Sequence, residues 1–313
     1  MLFDFLSYLY SITYCVNFTN EKRNRIRKLL NNIIARLCLS VTRMLRNTID
    51  YPNSPLVEGN GVIVSLTSFP KRFPDLKYTL RTILRQSVRP EKIVVNLTVQ
   101  ECPNGFNDIP DYLKEFIELG VEYRFRPKNI KPHCKYFFIM QEYINTDKLI
   151  VTMDDDILYR SNVIESLLAL HESNPDCICA RIVRRISFKD GVPISYENWD
   201  IYNPYRKGHD LVAMGFGSVL YPVGLFRKSD LFNFERIYRL CLNADDLWLK
   251  ANEVMLGVPV VTGAFETPDM ALKSSSICNL SAENVQKSSN DIQWEAINAE
   301  LDIYSRIILS LNR

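Results

Sequence analysis

A chain of 313 residues with 47% hydrophobic and 24% charged side chains is long enough for one large globular domain with appendages, and too apolar to be disordered. Eight cysteines without paired C-x-x-C spacing and three irregularly placed histidines, His133, His171 and His209, argue against a zinc ribbon or a His-based metal site. The net charge of +2 hides an asymmetry: residues 1–50 carry eight basic side chains against three acids, a net of +5, whereas residues 51–313 carry 30 against 33, a net of −3.

Residues 1–18, MLFDFLSYLYSITYCVNF, are apolar and aromatic, but fall short of the roughly 20 residues that a spanning helix needs, and they contain Asp4. With no basic stretch before them and no A-x-A-like site after them, they do not read as a secretory signal. Over 21–46 the pattern turns helical: Leu30, Ile33, Ile34, Leu37, Val41, Met44 and Leu45 form one apolar stripe, with Arg and Lys largely off it. A basic amphipathic helix beside an aromatic segment suits an anionic membrane surface. The competing reading is a helix packed on the protein's own body or on a second subunit; nucleic acid is not an expected partner. Residues 51–60, with Pro52, Pro55 and Gly59, read as a linker.

Strand and helix signals then alternate. Strands are predicted at 61–67, 92–98, 121–125 and 148–153, with helices at 76–86, 111–120 and 135–143 between them. This order predicts a mostly parallel sheet covered by helices, with its ligand-binding edge at the carboxyl ends of the strands. Further on, a helix is expected at 162–172, one strand at 177–186 and a glycine-containing segment at 211–222. A helical segment follows from Leu225, then a helix opening at Asp245, a strand at 258–263 and an amphipathic helical tail at 290–311. Cys177 and Cys179, two apart, are expected on one strand face as buried thiols. Cysteine usage of this kind predicts a reduced, cytoplasmic setting, so the sequons at Asn17, Asn96 and Asn279 are read as chance matches.

The strand at 148–153 runs into three consecutive carboxylates, Asp154, Asp155 and Asp156. Adjacent like charges repel, so the cluster reads either as a cation or ligand site or as a solvated acidic turn before the next helix. The first strand leads into TSFPKRFP, where hydroxyls, Lys71 and Arg72 suit a phosphate, or else form a solvated loop. No G-x-G-x-x-G or G-x-x-x-x-G-K-[ST] follows that strand, which speaks against a Rossmann dehydrogenase or a P-loop NTPase, and the triplet lacks the spacing of a D-D-x-x-D site.

Five segments, VSLTSFPKR, NIKPHCKYFFIMQEY, VTMDDDILY, GFGSVLYP and ADDLWLKANEVMLGVPVV, together resemble the successive motifs of family 2-like, GT-A-fold glycosyltransferases of the bacterial capsule and lipopolysaccharide type. The resemblance spans about 61–270. It implies a donor half at 61–160 and an acceptor half at 161–275 of one domain, between the leader at 1–50 and a helical tail at 276–313. It implies that Asp154 and Asp156 hold Mn²⁺ or Mg²⁺ on the diphosphate of a nucleotide-sugar, while Asp155 faces the ribose or sugar. Thr67, Ser68 and Arg72 would contact the nucleotide and Lys135 the diphosphate; for Lys135 the alternative is an exposed lysine at a helix start. Asp246 is the expected catalytic base beside Asp245, the alternative being helix capping. Gly215 and Gly217 would let backbone approach the sugar, although Ser218 stands where relatives often have another glycine. Trp199 is a candidate for stacking on a sugar ring; Trp248, in a helix, reads more naturally as core.

The function expected is transfer of a sugar from a nucleotide-diphospho-sugar to a hydroxyl of a glycan or lipid-linked acceptor, metal-dependent and inverting, at the inner membrane face. A sugar nucleotidyltransferase and a catalytically inactive sugar-binding or assembly protein are the alternatives.

Overall fold

The computed structural model describes residues 2–19, 25–57, 59–202, 205–263, 269–272 and 289–311. Asn279, Cys278 and the tail boundary at 276 lie outside them, as do the side chains of Cys15 and Asn17.

Two helices, α1 (Leu2–Thr19) and α2 (Arg25–Leu45), precede the main body. There β1 (Val62–Thr67), α3 (Phe73–Leu84), β2 (Lys92–Thr98), α4 (Asp111–Lys114), β3 (Val121–Arg126), α5 (Phe137–Tyr143) and β4 (Leu149–Thr152) alternate as the sequence pattern requires. After a two-residue strand β5 (Ile157–Leu158) come α6 (Val163–Ser173), β6 (Ile178–Ala180) and β7 (Val183–Arg185). Short strands follow: β8 (Phe188–Lys189), β9 (Val192–Pro193), β10 (Asp200–Tyr202), β11 (Arg206–Gly208), β12 (Leu211–Ala213) and β13 (Val219–Pro222). The chain continues through α7 (Phe234–Leu240), α8 (Asp245–Leu256), β14 (Val260–Thr262) and β15 (Met270–Ala271) to α9 (Ser289–Leu301) and α10 (Ile303–Leu311).

Eight strands form one sheet in the order β11-β14-β6-β13-β4-β1-β2-β3. β4, β1, β2 and β3 are parallel, as are β6 and β14, while β13 runs antiparallel between β4 and β6. The fold is therefore the expected α/β class, a mostly parallel sheet flanked by helices. Strands covered on both faces are mainly apolar, as β1 and β2 are, and their buried polar residues Ser65 and Asn96 are hydrogen-bonded to each other. Val62, Val64 and Leu66 pack with α3, α4 and α6 on one side; Ile63 and Val94 face α5, α8 and the C-terminal helices on the other. Cys177 and Cys179 both pack into the first of these cores, and all six cysteines with described side chains are buried free thiols. Asn96 is fully buried, donating to the Ser65 hydroxyl and the Leu66 carbonyl, which leaves no room for a glycan.

Several element boundaries differ from expectation for identifiable reasons. The strand predicted at 177–186 breaks at Arg181, so that β6 lies in the main sheet and β7 in a three-stranded one with β10 and β12. Arg181 is the cause: its guanidinium turns away to ion-pair with Asp269 at 2.6 Å. The helix predicted at 111–120 is a single turn plus a 3₁₀ turn ended by Gly120 at φ 94°, where a side chain would press on Leu56. The segment from Leu225 begins as a 3₁₀ turn, and the tail is two helices separated at Asp302, φ 50°.

Candidate active site

β1 and β4 are neighbours with Ser65 opposite Thr152, so their carboxyl ends deliver Thr67–Arg72 and Asp154–Asp156 to one edge of the sheet. A polar row on α3 fastens the acid turn from below. Thr79 donates to the Asp155 carbonyl at 2.9 Å, and the Thr82 hydroxyl accepts from the Tyr159 amide. The Tyr159 hydroxyl in turn accepts from the Asp154 amide at 2.7 Å. Tyr159 and Thr79 were not singled out in the sequence; the only signals were a tyrosine closing the acid segment and hydroxyls interrupting an apolar helix face.

The three carboxylates are not equivalent. Asp155 is buried, with the Ser68 hydroxyl donating to Oδ2 and Arg72 to Oδ1, both at 2.6 Å. Both its oxygens are therefore occupied by the protein, and so is the Ser68 hydroxyl; this differs from the open, donor-facing placement expected of them. Arg72 also reaches Asp156 at 3.2 Å. Burial, reinforced by the charges of Asp155 and Asp154, pushes the Asp156 carboxyl up to about 7. Asp154 is the open member, its side chain 28% exposed. Thr67 is half-buried with its hydroxyl on the Asn96 carbonyl, and Lys71 is exposed, as the solvated-loop reading has it.

Across the edge lies the second acid group. α8 begins at Asp245 with Ala244 in the capping position, so neither Asp245 nor Asp246 is the N-cap. Lys135 connects the two groups: its Nζ lies 3.3 Å from Asp154 Oδ1 and 2.9 Å from Asp245 Oδ2, in a nearly buried position rather than the exposed one that was the alternative. Its main chain is held by the Ser65 hydroxyl, which donates to the Lys135 carbonyl at 2.6 Å. His133, fully buried, donates from Nε2 to the Cys241 carbonyl and accepts from Tyr136 at Nδ1; burial lowers it to about 4, so it is a neutral strut.

Burial would raise Asp245, but the Lys135 ammonium beside it outweighs this and holds the carboxyl below its usual value. Asp246 goes the other way: burial and the neighbouring Asp245 charge push it up to about 8, against the Lys135 ammonium and the Gly215 amide. That amide donates to both Asp246 oxygens, at 3.2 and 3.3 Å. A Cβ on Gly215 would collide with Lys135 Nζ and crowd Asp246, so a side chain here would have to displace both. Gly217 is packed against Ile182. Ser218 closes the turn at φ 70°, fully buried.

Trp199 is a correction. It is 2% exposed, donates Nε1–H to the Ile194 carbonyl and packs against Tyr196 and Trp294, so it presents no face to a sugar. Trp248 is likewise core, bonded to the Leu231 carbonyl.

Five carboxylates thus share two cations, Lys135 and Arg72. The surplus negative charge, visible in the raised Asp156 and Asp246, is the environment a divalent cation would relieve. Among the described residues no group of three or more His, Cys, Asp or Glu side chains is arranged to hold a metal. Of the two acids expected to hold a cation, Asp154 is open, whereas Asp156 is buried with one oxygen on Arg72 at 3.2 Å.

No family model matches the sequence, and no curated protein is significantly similar to it. Among solved structures, a mannosyltransferase from Pyrobaculum calidifontis, PcManGT, in complex with GDP-Man and Mn²⁺, aligns with a TM-score of 0.50 at 11% identity, covering 86% of this chain and 76% of that one. Two others score lower. S. aureus TarS 1-349 has a TM-score of 0.44 at 10% identity, covering 79% of this chain and 70% of that one. A 4-diphosphocytidyl-2C-methyl-D-erythritol synthase has 0.42 at 13%, covering 73% and 98%. At such identity the first likeness is one of fold: the chain has a GT-A-like α/β architecture.

Proposed function

We propose that this protein is a glycosyltransferase that moves a sugar from a nucleotide-diphospho-sugar to a hydroxyl of a glycan or lipid-linked acceptor, with divalent-metal assistance and inversion. The observation that carries the reading is the buried Lys135 ammonium, shared between Asp154 at the end of β4 and Asp245 at the start of α8. It gathers the acids needed at the departing diphosphate and at the attacking hydroxyl on one strand edge, where open α/β sheets bind ligands. The motif order over 61–270 further supports a place in bacterial surface-polysaccharide synthesis.

Asp154 and Asp156 would hold the Mn²⁺ or Mg²⁺, which when bound stabilises charge on the diphosphate. Asp155 acts indirectly: with Asp156 it orients Arg72, whose guanidinium, together with Lys135, meets the diphosphate oxygens. Thr67 and the backbone after β1 line the nucleotide side, and the Gly215–Gly217 turn lets the sugar approach main chain. Asp246 accepts the proton of the acceptor hydroxyl as its oxygen attacks the anomeric carbon. The bond from that carbon to the diphosphate oxygen breaks, and the electron pair leaves with the nucleoside diphosphate. A carboxylate raised to about 8 is a far stronger base than a solvated one, and the Gly215 amide keeps it aligned. One base and one displacement invert the anomeric centre.

A thermal-shift screen of nucleotide-sugars with and without Mn²⁺ tests the reading. A donor present at about 100 times its Kd adds roughly 2.7 kcal/mol of stability. The expected result is a melting-temperature rise for one donor that needs the metal; no metal-dependent rise with any donor would count against it.

A further inference from the structure

The two N-terminal helices have two different faces. The inner one is fastened to the body: Leu6, Ser7, Cys38 and Thr42 are buried, and Phe3, Tyr10 and Leu39 pack on a small core of Ile49, Leu158, Met270 and Leu272. Polar contacts secure it further. Arg85 pairs with Asp4 at 3.0 Å, Arg46 with Asp75 at 3.4 Å, and Arg43 donates to the Ala271 carbonyl at 3.2 Å. The outer face is open. Along α2, Leu30, Ile33, Ile34, Leu37, Val41 and Met44 are all exposed, Leu37 by 59% and Met44 by 80%. From α1, Leu2, Phe5 and Tyr8 add to the exposed apolar surface. A soluble surface rarely carries so long an apolar ridge without something to cover it.

We propose that this ridge lies in the surface of an anionic lipid bilayer. Charge selects lipid over a second copy of the chain. The helix start is preceded and opened by Lys22, Arg23, Arg25, Arg27 and Lys28 against Glu21 alone, and Arg36 is exposed within α2. Two copies paired along α2 would set one leader of net +5 beside another, whereas acidic headgroups complement it. No helix among the described residues is long and apolar enough to cross a membrane, so the binding mode is one of lying in the interface.

The docked face also ties the bilayer to the chemistry. Leu272, in the small core under the helices, donates its amide to the Asp156 carbonyl at 2.7 Å. β5, which pairs with β15, begins immediately after Asp156. The lipid-facing helices are thus anchored next to the acid turn. Resting on the transferase reading above, this narrows the acceptor class to a glycan carried on a membrane lipid.

The test is co-sedimentation of the full chain with vesicles of phosphatidylcholine and phosphatidylglycerol at 3:1, against phosphatidylcholine alone, at low and high salt. Ile34→Asp/Leu37→Asp is the apolar variant; both sites are exposed, so the fold should survive, checked by an unchanged melting temperature. Arg25→Glu/Arg27→Glu is the charge variant. Wild type is expected to pellet with the anionic vesicles only, with the bound fraction falling in salt, and each variant to lose more than about tenfold in partitioning. Three results would overturn the proposal: no pelleting of wild type, a stable wild-type dimer in solution that Ile34→Asp/Leu37→Asp dissociates, or binding to oligonucleotides in preference to vesicles. Metal-dependent hydrolysis of donor in solution is read separately. Its absence with vesicle binding intact would refute the transferase reading alone.

Discussion

The acid triplet at the end of β4 and the acid pair at the start of α8 use one residue type in two electrostatic settings. The triplet is built into the protein: Asp155 is consumed by Ser68 and Arg72, its carbonyl by Thr79, and only Asp154 opens toward solvent. The pair is split by a single cation. Lys135 lies against Asp245 and holds it ionised, leaving Asp246 beside that charge, half-buried and raised to about 8. Identical side chains acquire separate roles because their surroundings separate their proton affinities. The triplet is left with one open carboxylate, the pair with one carboxyl of raised proton affinity.

Removing the shared cation should do the most damage to this division. Lys135→Met leaves Asp154, Asp245 and Asp246 uncompensated, and breaking a buried ion pair costs about 3–5 kcal/mol. We expect a large loss of melting temperature and of transfer together; a variant with wild-type stability would refute the central place given to Lys135. Gly215→Ala should be milder in stability but specific in effect, since its methyl displaces Lys135 Nζ and Asp246 together. Turnover is expected to fall roughly 10²-fold with donor affinity nearly unchanged, as misplacement of a catalytic group does. An equal loss in both would place Gly215 at the donor instead. Trp199→Phe, by contrast, should lower stability by about 1–3 kcal/mol through lost packing and its hydrogen bond to Ile194, without changing the donor KM. A changed KM would return that ring to the binding site.

The smallest effect is on stability alone. The folded protein holds the Asp246 proton up to about 8, whereas the unfolded chain releases it near the ordinary 3.8. Its contribution to stability is therefore full below 3.8 and is lost as pH rises toward 8. Asp246→Asn should match wild type at pH 4 and melt higher than wild type at pH 8. A variant equally stable at both values would mean that the carboxyl is not raised.

How much of this could be read without coordinates depended on how local the cause was. β1 and β2 appear within a residue of their predicted limits because strands buried on both faces are mainly apolar. Asp154, Lys135, Gly215, Asp245 and Asp246 were all named as candidates, and the fold brings them to one edge. Their pairing was not legible: that Lys135 bridges 154 and 245, or that Asp155 is taken by Ser68 and Arg72, depends on contacts between distant segments. The same holds for the strand that broke, since Arg181 leaves the sheet to meet Asp269, 88 residues further along the chain. Trp199 was misread because an aromatic in a polar loop looks alike whether it caps a sugar or, as here, packs against Tyr196 and Trp294. The amphipathic pattern of α2 was equally ambiguous between lipid and the protein's own body. The stripe at 30–44 is exposed, and the docked residues Cys38 and Thr42 lie on another face.

The central claim is that Asp246 removes the acceptor proton during transfer from a nucleotide-sugar. Its most direct test is to follow nucleoside diphosphate release and anomeric configuration by NMR, for wild type and Asp246→Asn, with Mn²⁺ and the donor found by thermal shift. The account predicts an inverted product and a kcat/KM that rises about tenfold per pH unit up to about 8 in wild type. It predicts a loss of roughly 10³-fold in the variant, with donor binding retained. Equal turnover by the two proteins, or a retained anomeric configuration, would contradict it.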